Sequence, residues 1–258
     1  MTFCIGVKLK SGLLAMADTR ITSEVGVRTA KKISFVSHEA GKLFLMTSGL
    51  RSVRDKAVIY FEEKMREDKV HPDKMHNAAN LLGQQIKRAA HEDREDLVKA
   101  GYHFNIHAII GGQLKGDESP RLFLIYPEGN WVEVTDESPF AIIGNSKFGI
   151  PILKRVLQPE TDWREALKLM FISFDATVQN APDVEFPLDV VYYEKDSYHM
   201  SERRFERTDL AELSDSYLEG LKKLVENLPL PYSQKGPFDG ANDDSGLRRE
   251  QPNEGQPR

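Results

Sequence analysis

The spacing of apolar residues switches twice along this chain, from every second residue to every third or fourth and back, and this limits the fold more than any other feature. Residues 2–9 place Phe3, Ile5, Val7 and Leu9 on one face and Thr2, Cys4, Gly6 and Lys8 on the other, the pattern of a half-buried strand. The turn signal Ser11-Gly12 returns the chain through a strand over 13–17 that ends at Asp18. Residues 21–29 read as irregular. A second hairpin is expected from 32–36 and 43–47 around the turn 38–41, so four strands precede the first helix. Helical spacing then takes over: Val53, Ala57, Tyr60, Phe61 and Met65 predict a helix over 50–69, and Met75, Ala79, Leu82, Ile86 and Ala90 a second over 72–100.

Strands are expected again at 104–112, 122–126, 131–134 and 140–143, read as a second sheet. Helices at 148–157 and 163–179 follow, then strands at 186–193 and 198–203. A last helix over 210–228 carries Leu210, Leu213, Tyr217, Leu221 and Leu224 on one face. Two sheets stacked face to face with helices outside bury all these apolar faces at once. The expected fold class is therefore α+β, a four-layer αββα sandwich in one domain over 2–231, with a helical extension at about 209–228. Beyond Pro231 almost no apolar residue occurs, so 232–258 is expected to be a disordered tail.

Composition narrows the function classes. Among 258 residues, 35 Lys and Arg face 40 Asp and Glu, a net charge of -5 that gives no electrostatic footprint for nucleic acid or an anionic membrane. The single cysteine, Cys4, can form neither an internal disulfide nor a multi-cysteine metal site, which fits a reducing cytoplasm. No apolar run reaches membrane-spanning length, and no basic-then-apolar signal opens the chain. A cytoplasmic protein without nucleic-acid or membrane partners is expected. GxGxxG, GxxxxGK, HExxH and CxxC do not occur. His103 and His107 share a strand face, but without a placed carboxylate they read as ordinary strand residues, and neither metal nor cofactor is expected.

One constellation carries chemistry. A threonine follows the initiator methionine at the head of the first strand, Asp18 closes the second, and Lys31-Lys32 opens the next. With Ala15-Met16-Ala17-Asp18-Thr19-Arg20, Lys31-Lys32-Ile33, Thr47-Ser48-Gly49 and Ala141-Ile142-Ile143-Gly144-Asn145-Ser146, the sequence resembles the proteasome-type threonine proteases, a branch of the N-terminal-nucleophile hydrolases. Within them it looks most like the bacterial Anbu proteins: the threonine is at position two, a Gly-x-Ser-Lys stretch spans 144–147, Asp175 and Thr177 form an Asp-x-Thr, and a helical C-terminal extension is present.

The resemblance implies a Thr2 nucleophile, exposed once Met1 is removed, with the residue's own α-amine as base. A lysine ammonium beside the hydroxyl favours the alkoxide and keeps that amine neutral, while a carboxylate fixes the lysine; Lys32 and Asp18 take these roles. Gly49, at a strand-to-helix junction, offers a backbone N–H to the oxyanion, reinforced by the helix dipole. Ser146 supplies an accessory hydroxyl near the amine, with Asn145 as the alternative aligned residue. Taken singly, Thr2 is a strand residue, Asp18 a turn residue, Lys32 half of a solvated pair and Gly49 a turn glycine. Their joint spacing is what points to a site. Asp175 reads as a solvated helix carboxylate.

Two departures bear on substrate choice: Ile21-Thr22-Ser23-Glu24 stands where Anbu proteins carry a Thr-Asn-Ala-Gly type segment, and the interval from Asp18 to Lys32 is shorter than in proteasome β subunits. The resemblance implies a cytoplasmic threonine endopeptidase acting on peptides or unfolded protein in a homo-oligomeric ring or spiral, with any unfoldase partner left open. A non-catalytic ring scaffold and an acylase of small amides are the alternatives.

Overall fold

The computed structural model describes residues 2–23, 26–67 and 72–229. Strands β1 (Phe3–Leu9) and β2 (Gly12–Asp18) form the opening hairpin, and β3 (Arg20–Ser23) pairs with β4 (Gly26–Thr29). Strands β5 (Ile33–His38) and β6 (Gly41–Gly49) lead into helices α1 (Arg51–Arg66) and α2 (Met75–Lys99). Next come β7 (Ile106–Leu114), β8 (Arg121–Ile125), β9 (Trp131–Glu133) and β10 (Phe140–Gly144), then α3 (Ile150–Val156) and α4 (Trp163–Val178). Strands β11 (Leu188–Glu194) and β12 (Met200–Phe205), a 3₁₀ turn at Arg207–Leu210 and helix α5 (Ala211–Asn227) complete the described chain.

Two antiparallel five-stranded sheets result, in the orders β10-β1-β2-β11-β12 and β5-β6-β7-β8-β9. Three apolar clusters mark the layers. Phe61, Leu82 and Ile86 of α1 and α2 pack on Leu43, Leu45 and Ile110 of one sheet. Met170 and Phe174 of α4 pack on Phe3, Ile5 and Met16 of the other. Cys4, Ala15, Ala17, Phe44, Met46 and Ile109 fill the space between the sheets. This is the αββα sandwich that the sequence predicts.

The structure corrects three local expectations. Strand β1 is buried on both faces, not one: Phe3, Ile5 and Val7 face the helices while the small Cys4 and Gly6 lie toward the opposing sheet, so its alternation separates large from small residues. Residues 21–29, read as irregular, fall in the β3–β4 hairpin, which starts at Arg20. Each of its strands is only four residues long, and among the described strands the two form a sheet of their own. The strands after α2 do not make a sheet of their own; β7, β8 and β9 extend the β5–β6 sheet, whereas β10 pairs with β1. A central strand such as β6, buried from Leu43 to Ser48, needs a ladder on each side, and β7 supplies the second.

The chain divides into two compact units, Met1–Ser216 and Tyr217–Arg258, with the boundary inside α5. The end of the helix expected over 50–69 and the expected tail 232–258 lie outside the described residues. Among the described residues no helix is long and apolar enough to cross a membrane.

Candidate active site

The two sheets bring their chemistry to one end of the sandwich. Asp18 is the last residue of β2, and β2 runs antiparallel to β1, so its carboxylate returns to the point where β1 begins. There Asp18 Oδ1 accepts the backbone N–H of Phe3 at 2.8 Å. The same oxygen accepts Lys32 Nζ at 2.7 Å from the start of β5 in the opposing sheet. A single carboxylate oxygen thus ties the residue after Thr2 to the lysine expected to act on Thr2. All three are buried: Thr2 is 8% exposed, Asp18 0% and Lys32 5%.

Burial pushes the Asp18 carboxyl above its ordinary range, outweighing the Lys32 ammonium, the Lys32 hydrogen bond and the Phe3 N–H that favour its charged form. Among the described residues, Asp18 Oδ2 and Arg20 Nε are buried without hydrogen-bond partners. Cys4, next along β1, lies within reach of the same charges. Burial drives its thiol up to about 12, against the opposing pull of Lys32, so it stays protonated at neutral pH.

Thr2 is also held from the third side. Its carbonyl accepts the Asn145 N–H at 2.7 Å where β10 ends. Gly144 has φ +85°, and a Cβ there would stand 1.8 Å from the Thr2 carbonyl oxygen, so only glycine lets the turn approach so closely. The sequence reading names this glycine only as a motif residue, the first of the Gly-x-Ser-Lys stretch 144–147, with no positioning role. Asn145 therefore meets Thr2 through its backbone, and half-buried Ser146 is the next residue, its carbonyl accepting the Ile150 N–H at 3.3 Å.

Gly49 sits where the sequence places it, ending β6 just before α1, with φ +117°. A side chain there would collide with the Asn105 carbonyl oxygen, 1.8 Å from an added Cβ. The register Ile33↔Met46 brings this end of β6 beside the start of β5, and so beside Lys32. Sequence reasoning also missed Arg54, a buried cation on α1. Its only sequence signal is a charge next to the apolar series Val53, Ala57, Phe61. Asp175 on α4 accepts the Ser214 hydroxyl at 3.2 Å, a helix-to-helix contact. Among the described residues no group of three or more His, Cys, Asp or Glu could hold a metal ion.

The arrangement couples a buried ammonium, a carboxylate with a raised pKa and a backbone-anchored threonine, the components for moving a proton at a hydroxyl. Known proteins share the overall fold. A search of curated protein sequences finds no match. Among solved structures, a mutant Anbu from Hyphomicrobium sp. strain MC1 is 31% identical with a TM-score of 0.80, covering 89% of this chain and 99% of its own. Anbu from Yersinia bercovieri, described as an ancestral beta-subunit, is 29% identical at TM-score 0.80, covering 88% and 98%. The Anbu complex from Pseudomonas aeruginosa, solved as a helical assembly, is 27% identical at TM-score 0.80, covering 91% and 100%. The pattern of the proteasome subunit family matches residues 2–191, and on this match and these structural likenesses the chain belongs to the proteasome subunit family and is most like its Anbu members.

Proposed function

We propose that the protein is an N-terminal threonine endopeptidase that hydrolyses peptide bonds through a Thr2 acyl-enzyme. The observation that carries this reading is the shared Asp18 Oδ1, bonded at once to Lys32 Nζ and to the N–H directly after Thr2. With Met1 removed, the Thr2 amine takes the hydroxyl proton and Oγ1 attacks the scissile carbonyl. The Gly49 N–H receives the oxyanion, and the proton passes to the leaving amine as the tetrahedral species collapses. Water then attacks the ester by the same route and frees the acid. Lys32 holds positive charge beside the hydroxyl and disfavours a protonated amine, Asp18 orients Lys32, and Ser146 or Asn145 completes the surroundings of the amine.

The protein works in the cytoplasm as a homo-oligomer, a ring or an open spiral whose interior admits extended peptides and unfolded chains. The helical assembly of the Pseudomonas aeruginosa relative supports this, as do Ile59 on α1 and Val98 on α2, apolar side chains 53% and 57% exposed in the single chain. The test is turnover on a panel of unstructured peptides and small acyl amides. Peptide cleavage abolished by Thr2→Ala is expected. Cleavage of amides alone would identify an acylase, and no turnover of either class would identify a non-catalytic scaffold.

A further inference from the structure

Helix α1 turns Val53, Ala57, Phe61 and Met65 inward at four-residue intervals, and one charged residue, Arg54, is buried with them at 8% exposure. The helix starts just beyond Gly49, at the end of the sheet where Lys32 meets Asp18, and Arg54 lies about one turn further on. Arg54 is also among the charges that act on Cys4, two residues beyond Thr2. Among the described residues the guanidinium makes one hydrogen bond, from Nε to Asp55 Oδ1 at 3.3 Å. Asp55 is itself half-exposed and accepts Arg51 Nε on its other oxygen at 3.1 Å. A buried guanidinium is costly unless its N–H groups find acceptors, and a long bond to a shared carboxylate leaves most of that capacity open. Arg20, two residues past Asp18, adds a second guanidinium with a buried, unpartnered Nε.

We infer that Arg54 is a specificity-determining residue that binds a side-chain carboxylate on the acyl side of the scissile bond, so that the site takes acidic peptide segments. The inference rests on the threonine-peptidase reading. The planar N–H fork matches a carboxylate through two parallel hydrogen bonds, which neither a neutral nor a basic side chain can accept. Asp55 is the internal competitor, and an acidic substrate displaces its weak hold on Arg54.

The experiment measures, by intact mass, how fast the full-length protein is modified by three peptide epoxyketones that differ only in the residue next to the warhead: glutamate, leucine or lysine. Expected is modification of Thr2 by the glutamyl probe about tenfold faster than by the leucyl probe, with the lysyl probe slowest. Arg54→Gln should bring the glutamyl-to-leucyl ratio close to one, Arg54→Glu should favour the lysyl probe, and Asp55→Asn should raise the ratio. If Arg54→Gln does not fold, Arg54→Lys, which keeps the charge but not the fork, should give an intermediate ratio. A wild-type protein that prefers the leucyl or lysyl probe overturns the inference while leaving the peptidase reading standing, as does an unchanged ratio in Arg54→Gln. Failure of every probe to modify Thr2 overturns the peptidase reading, and this inference with it.

Discussion

Two ammonium–carboxylate contacts of equal length behave in opposite ways. Lys32 Nζ lies 2.7 Å from Asp18 Oδ1 with side-chain exposures of 1% and 0%, whereas Lys56 Nζ lies 2.7 Å from Asp93 and 2.8 Å from Glu92 on the α1–α2 surface, all three about a third exposed. On the surface the hydrogen bonds from Lys56, Tyr60 and Arg88 draw the Glu92 carboxyl down to about 2. In the interior burial outweighs the same kind of partner and drives Asp18 upward. Solvent, not distance, decides the sign. The surface contact clamps two helices, and its Glu92 stays charged throughout the physiological range. The buried contact holds Asp18, with its carboxyl raised, and Lys32 together next to Thr2, the residue that precedes the chain's first strand.

The largest expected effect of breaking the buried side is on chemistry. Thr2→Ala should lower turnover about a thousandfold or more with at most a small drop in melting temperature, because it removes the proposed nucleophile and only one methyl besides. Lys32→Met should lower turnover to a similar floor, and the double variant should fall no further, since both residues act on one nucleophile. Unlike Thr2→Ala, Lys32→Met also strips a buried carboxylate of its partner, at a cost of about 3 kcal/mol near neutral pH. The sign of its pH dependence follows from the direction of the Asp18 shift. A carboxyl whose folded pKa is raised contributes stability below the unfolded pKa and loses it as pH rises through the folded one. The deficit of Lys32→Met against the wild type, read by chemical denaturation, should therefore be smallest near pH ~4 and grow toward neutrality.

Cys4 sharpens the comparison as a buried acid whose thiol has no hydrogen-bond partner among the described residues. Its thiol keeps its proton up to about 12 in the folded chain but ionises at lower pH when unfolded, so its contribution is lost as pH rises from the ordinary thiol range. The wild type should lose stability across that alkaline window at about 1.4 kcal/mol per pH unit, a slope Cys4→Ala should lack, with little change in peptide turnover. The smallest effect belongs to the surface contact. Lys56→Ala should barely move the melting temperature, its difference should fade with added salt, and turnover should be untouched.

The architecture was legible in the sequence wherever a period had room to repeat. The helix series at 53–65 and 75–90 and the alternation of 2–9 and 13–17 all became elements close to their expected bounds. What periodicity cannot carry is partnership. Nothing local to residues 140–143 distinguishes a strand that joins β1 from one that continues β9, because pairing depends on which edge remains open after the other strands have docked. The hairpin at 20–29 was hidden for a related reason: its strands are four residues each, too short for a period to repeat, and what defines them is the pairing of residues such as Arg20 and Thr29. The sequence singled out Thr2, Asp18, Lys32 and Gly49 through their types and intervals; the two bonds to Asp18 Oδ1 bring Asp18, Lys32 and the residue after Thr2 together. Arg54 was not, and Gly144 was visible only as a motif residue, since a charge beside an apolar helix stripe and a glycine ending a strand are both commonplace until burial and the Thr2 carbonyl give them meaning.

Thr2 as the nucleophile is the central claim, and an intact-mass measurement before and after exposure to a peptide epoxyketone tests it most directly. The account predicts an untreated chain beginning at Thr2 and, after treatment, one adduct per chain that maps to Thr2, is absent from Thr2→Ala and forms far more slowly in Lys32→Met. A chain that retains Met1 yet hydrolyses peptides, an adduct carried by Cys4, or labelling that persists in Thr2→Ala would contradict it.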